Sequence, residues 1–150
     1  MIKQPTQTLA DSYRADETAW LDTMAEFIRA GRFDELDFDH IAEFLADNAD
    51  RDRRDVYRYL LGFLSGLLVW KHRYDQLTSS RRGEILGHQF ELENWTDTPT
   101  LFGYAEKILR ETYRDAVDVA CAETGVPPST FAAECPWTMA QLLSEEVLDR

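Results

Sequence analysis

Three residues at helical spacing are the best candidates for metal chemistry in this chain. His40, Glu43 and Asp47 fall at i, i+3 and i+7, so one helix could present an imidazole and two carboxylates together. Such donors suit a divalent metal. Di-metal sites in helical bundles use a Glu-x-x-His pair on each of two helices. Here the order is His-x-x-Glu, and Glu-x-x-His occurs nowhere. Polar residues on a solvated helix face are the simpler reading of the set. His72 and His88 are isolated, and His72 follows Lys71 at a position that reads as a helix end, where a cation complements the dipole.

Nucleophiles are equally sparse. Cys135 precedes Pro136 at the start of a short predicted helix, a position that lowers a thiol pKa. A nucleophile also needs a base, and no Cys/His spacing supplies one. Cys135-Pro136-Trp137 reads as an anchor, with Pro setting the turn and Trp137 entering the core. Cys121 sits among small residues and reads as packing. There is no G-x-S-x-G and no glycine-rich phosphate loop. The sequence therefore nominates no catalytic residue and no cofactor.

Charge provides the most suggestive surface feature. The net charge is −12, yet the stretch from Arg51 to Arg82 holds eight of the 16 cations and three of the 28 acids. Its cations form two clusters: Arg51, Arg53, Arg54 and Arg58, then Lys71, Arg73, Arg81 and Arg82. A helix of some twenty residues separates them by about 30 Å. Their default partners are the acidic flanking helices, in pairs contributing about 0–1 kcal/mol each when exposed. The overall acidity disfavours nucleic acid and anionic lipid as partners.

The elements that would position these groups follow from apolar periodicity. Residues 1–10 read as a flexible arm and 11–150 as a single helical domain. A first helix, capped by Asp11 or Asp16, carries Trp20, Leu21, Met24, Phe27 and Ile28 and stops at Gly31. Phe33 and Leu36 are expected to tuck back into the core. Asp37 or Asp39 caps a second helix through Ile41, Phe44 and Leu45, with a break or kink expected near Asp47–Asp50. The longest apolar run, Tyr57–Tyr74, predicts the central helix; Gly62 and Gly66 in it predict a close crossing. A fourth helix capped by Ser79 or Ser80 carries Ile85, Leu86, Gln89, Phe90 and Leu92. Thr98-Pro99 opens a long fifth helix with a stripe from Leu101 to Ala120 that includes Val119, and Gly125 with Pro127-Pro128 ends it. Thr138 and Gln141 form a capping box for a short C-terminal helix. The predicted fold is an all-α up-and-down bundle of about five helices with that helix capping one end.

Two unpaired cysteines and the absence of an N-terminal apolar region predict a cytoplasmic protein. The apolar run Leu60–Trp70 is shorter than the roughly 20 residues a membrane span needs.

Several motifs, taken together, resemble a bacterial family known as domain of unknown function twenty-nine. They are Ala19-Trp20, the Gly31–Asp37 turn running into Ile41-Ala42-Glu43, Leu67-Leu68 with Trp70-Lys71, Glu123-Thr124-Gly125, Phe131 and Cys135-Pro136-Trp137. The chain departs from that pattern at Phe44 and at Arg81-Arg82-Gly83. The resemblance implies an all-helical fold and no particular activity.

These observations favour a non-enzymatic module that binds another protein, or pairs with itself. Surplus tyrosines, Tyr57, Tyr59, Tyr104 and Tyr113, point the same way. The alternatives are a nucleic-acid-linked protein, using the basic clusters or mimicking DNA by acidity, and a carboxylate/His metal enzyme centred on His40 and Glu43.

Overall fold

The computed structural model describes residues 8–150, and every regular element among them is helical. Six α-helices form: α1 (Leu9–Ala15), α2 (Glu17–Arg29), α3 (Phe38–Arg73), α4 (Ser79–Trp95), α5 (Pro99–Thr124) and α6 (Met139–Leu142). Short 3-10 turns occupy Phe33–Glu35, Tyr74–Gln76, Pro128–Thr130 and Glu145–Leu148. The all-α expectation holds. The chain divides into two compact units, one ending at Ala49 and the other running Asp50–Arg150.

In the first unit, helix starts follow the polar signals. Residues 1–7 of the expected arm lie outside the described residues, but its last part is helical. The Thr8 hydroxyl accepts the Asp11 N–H at 3.2 Å, and the Asp11 carboxylate accepts the Thr8 N–H in return, a capping box for α1. Asp16 caps α2 by accepting the Ala19 N–H at 3.1 Å. The α2 helix ends with Gly31 at φ +70°. Arg32 N–H reaches Phe27 carbonyl and Gly31 N–H reaches Ile28 carbonyl, so two orphan carbonyls are satisfied. Phe33 does not tuck in; it is 56% exposed, and only Leu36 turns partly inward.

The expected break near Asp47–Asp50 is absent, since α3 runs unbroken from Phe38 to Arg73. The reason is local. No Gly or Pro interrupts residues 46–55, and Asn48 Nδ2 donates back to the Phe44 carbonyl at 2.8 Å. Asp50–Arg53 and Asp55–Arg58 pair at i, i+3. What changes at this point is burial. No α3 residue before Val56 is fully buried, so the boundary between units falls inside a continuous helix.

The second unit is built on the rest of α3. Val56, Leu60 and the whole run Phe63–Trp70 are buried, which makes this segment central within its unit. Both glycines mark the crossing with α4. A Cβ on Gly62 would stand 2.9 Å from the His88 ring, and one on Gly66 would stand 2.6 Å from Ile85 Cγ1. Thr78, rather than Ser79 or Ser80, caps α4 by accepting the Arg81 N–H at 3.1 Å. Ile85 and Leu92 take its inner face, so Leu86 (44% exposed) and Phe90 (63% exposed) point outward instead of into the core. On α5, Ala105, Thr112, Tyr113, Ala116, Val117 and Ala120 are buried, while Val119 is exposed. Gly125 closes α5 at φ +74°.

The C-terminal segment is tied down by side chains. Thr138 and Gln141 form the expected capping box, and Met139 and Leu142 are buried. Gln89 Nε2 donates to the carbonyls of Leu142 and Ser144 at 2.9 and 3.1 Å. Trp70 Nε1 donates to the Leu148 carbonyl at 3.0 Å, and Tyr113 hydroxyl donates to the Ala132 carbonyl at 2.7 Å. Trp137 packs edge-on against Tyr113.

Candidate functional site

In the first unit, Asp37 just precedes α3, and its carboxylate collects several groups. Trp20 Nε1 donates to Asp37 Oδ2 at 3.2 Å, and His40 Nδ1 lies 2.7 Å from the same oxygen. Asp37 N–H points at Met24 Sδ, 3.4 Å away. Burial alone would raise the Asp37 pKa, but the hydrogen bonds from His40 and Trp20 outweigh it and hold the carboxyl below its usual range. Tyr13 packs against both Trp20 and His40, with ring centroids 4.7 and 4.5 Å apart. Its phenol is pushed up by desolvation and then by the charges of Glu43 and Asp47.

This arrangement places the metal candidates. His40 turns its Nδ1 to Asp37, while Glu43 and Asp47 are exposed carboxylates near Tyr13. Among the described residues, no group of three His, Cys, Asp or Glu side chains is gathered closely enough to hold a metal ion. Asp37, bonded to both Trp20 of α2 and His40 of α3, ties the start of α3 to α2.

Beside that polar knot lies an apolar groove. Trp20, Met24, Ile41 and Phe44 line a cavity of about 200 Å³ between α2 and α3. Ile28 and Leu45, also on its wall, are 51% and 62% exposed. Both belong to the apolar stripes read from the sequence. Two helices with short loops cannot enclose both apolar stripes, so one face stays open. Trp20 joins the two features, because its ring lines the groove and its N–H holds Asp37. The signal available in sequence was the imbalance between five apolar residues on α2 and the short partner segment Ile41–Leu45.

In the second basic cluster, Lys71, Arg73, Arg81 and Arg82 each meet an acceptor of the protein's own. Lys71 Nζ donates to the Asp149 carbonyl and Arg73 Nη2 to the Thr124 carbonyl, the latter at 2.8 Å. Thr124 ends α5, so Arg73 supplies a cation where carbonyls lack partners and the dipole is negative. Arg81 holds Glu123 through two bonds of 2.9 and 2.8 Å. Arg82 donates to the Tyr74 carbonyl at 3.2 Å and stacks over the Tyr74 ring. A cleft of about 330 Å³ opens beside these groups, with Arg73 and Arg81 in its wall. In the other cluster, Arg53 pairs with Asp50 and Arg58 with Asp55, while Arg51 and Arg54 are exposed on α3. The middle of the chain is basic because helix ends and acids meet it there.

The remaining candidates are structural in their contacts. His88 sits against Gly62 and faces Tyr59 at 6.3 Å. His72 lies edge-on to Phe131. Cys135 Sγ lies 3.4 Å from the Trp137 carbonyl, and burial pushes the thiol up rather than down. Tyr113 is buried, Tyr59 and Tyr104 pack on the core, and Tyr57 donates to Asp115 at 2.7 Å. The tyrosines are therefore used within the fold and do not form a surplus.

No helix among the described residues is long and apolar enough to cross a membrane. A search of curated proteins and a search of solved structures return no match to this chain. A family model described as "Domain of unknown function DUF29" matches residues 12–148, and the chain belongs to that family.

Proposed function

We propose that this DUF29 family member is a non-enzymatic module that binds another protein, and that the groove of its first unit receives a cationic amphipathic helix. One observation carries this reading: Ile28 and Leu45 stand exposed beside a groove lined by Trp20, Met24, Ile41 and Phe44. Grooves between two helices accept the apolar stripe of a third, read as i, i+3, i+4, i+7 anchors. Charge selects the partner. Residues 8–49 contain 11 acids and three arginines, and Arg32 is already paired with Glu35. Glu17 lies on the α2 stripe that includes Leu21, and Asp22 and Arg29 flank it. A second acidic copy would be repelled, whereas a basic helix is attracted.

The test is fluorescence anisotropy with a labelled 14-residue Leu/Lys amphipathic peptide. A Leu/Glu peptide of the same pattern and a scrambled Leu/Lys peptide serve as controls. Only the amphipathic Leu/Lys peptide binds, and added salt weakens it. Burying a leucine-sized side chain is worth ~1.5–3 kcal/mol, so Ile28→Asp or Leu45→Asp weakens binding roughly tenfold to a hundredfold. Both side chains are exposed, so both variants keep native circular dichroism. Equal binding by the variants, or by the acidic peptide, refutes the proposal.

A further inference from the structure

We infer that the second unit carries a binding site for a small aromatic carboxylate, in the cavity where the end of α3 meets the Cys135-Pro136-Trp137 segment. The cavity holds about 250 Å³, room for a single aromatic ring. Tyr113, Phe131 and Trp137 line it, with Lys71, His72 and the Thr130 hydroxyl among the polar groups of its wall. Sites for small ligands combine apolar and aromatic walls with a few placed polar groups in this way.

The wall is held in place before any ligand arrives. Tyr113 hydroxyl donates to the Ala132 carbonyl at 2.7 Å, which fixes the turn beside Phe131. Trp137 stands edge-on to Tyr113, with centroids 6.5 Å apart, and His72 edge-on to Phe131 at 5.9 Å. Trp137 is followed directly by the Thr138–Gln141 capping box. The Cys-Pro-Trp anchor therefore also builds one side of the cavity.

Charge decides which aromatic ligand fits. The chain has 28 acids against 16 Lys and Arg, yet no Asp or Glu lines this cavity among the described residues. Glu146 lines a neighbouring cavity, which shares Lys71 and Trp137 with this one. Aromatic faces alone would attract an ammonium ligand. Lys71, exposed in the wall, repels one and attracts a carboxylate. Its ammonium uses one N–H on the Asp149 carbonyl and keeps the others for a ligand.

The test is titration of the full chain with phenylacetate, phenethylamine and acetate, read from the indole N–H peaks in proton–nitrogen correlation NMR. Trp137→Phe assigns the peak that reports the cavity. Phenylacetate shifts that peak saturably, with a Kd of about 1 mM as suits so small a ligand, and leaves the Trp20 peak in place. Acetate, which lacks the ring, and phenethylamine, which carries the wrong charge, do not shift it. Lys71→Glu weakens phenylacetate roughly fivefold and lets phenethylamine bind. Its side chain is exposed, so circular dichroism stays native. Phe131→Leu keeps bulk but removes the ring, and weakens phenylacetate roughly threefold. A wild type whose Trp137 peak shows no saturable shift overturns the inference. So does equal binding of phenethylamine by the wild type, or phenylacetate binding that both substitutions leave unchanged.

Discussion

Gly66→Ala tests the packing of the second unit by adding one methyl group. The new Cβ would stand 2.6 Å from Ile85 Cγ1 and 3.3 Å from Ile85 Cγ2. Ile85 is fully buried, and Gly66 lies in the unbroken buried run of α3. Neither partner can yield without shifting a helix. Overpacking of this kind costs about 1–3 kcal/mol, and a contact this short belongs at the upper end. Alanine returns about 1 kcal/mol through helix propensity. The net loss is then about 1–2 kcal/mol, a fall in Tm of roughly 2–8 °C for a chain of this size. Gly87→Ala is the control, because its Cβ meets open space. It keeps the propensity gain alone and raises Tm by about 2–4 °C. Thermal and urea melts followed by circular dichroism read both signs. Ile85→Ala by itself costs about 2–5 kcal/mol, but in that background Gly66→Ala becomes neutral or stabilising. A Gly66→Ala variant as stable as Gly87→Ala, or additive with Ile85→Ala, refutes a close crossing at that glycine.

Two further predictions concern titratable groups. Asp37 has a folded pKa below its unfolded value, so its contribution to stability is present above about pH 4 and is lost as pH falls through the lower folded pKa. In that window the unfolded chain binds more protons, so stability rises with pH. Asp37→Asn flattens the rise in melts taken from about pH 3 to 5, and an unchanged slope contradicts the assignment. Burial raises the Cys135 thiol, so the native protein alkylates there at least about tenfold more slowly than a free peptide thiol at neutral pH. Mass spectrometry after iodoacetamide treatment measures this, and denaturant restores the rate. Rapid labelling of Cys135 in the native state would show the thiol to be accessible and ionised.

Local chemistry was legible without coordinates. Asp16, Gly31, the Thr98-Pro99 start, Gly125 and the Thr138–Gln141 box all act where their residue types place them. Each effect operates within one helical turn, so neighbours in sequence suffice. The central run Phe63–Trp70, polar only at Ser65, carries apolar residues around the whole helix, as burial on every side requires. Even Gly62 and Gly66 announced a close neighbour, because an interior glycine weakens a helix unless something fills its space.

What tertiary structure decided was which apolar and charged groups find partners. Leu45, Leu86 and Phe90 have the spacing of core residues, yet all three are exposed. Periodicity identifies a stripe but not whether another element arrives to cover it. The basic clusters show the converse. Sequence displays Arg73, Arg81 and Arg82 as a surface patch, while the fold presents them with the Thr124 carbonyl, Glu123 and the Tyr74 carbonyl. Those acceptors lie 51, 42 and 8 residues away along the chain. The sequence alone determined the helices, their ends and the all-α class, since backbone hydrogen bonding and capping are short-range. Only the tertiary structure decided the surfaces, because burial and charge pairing depend on which distant segments meet.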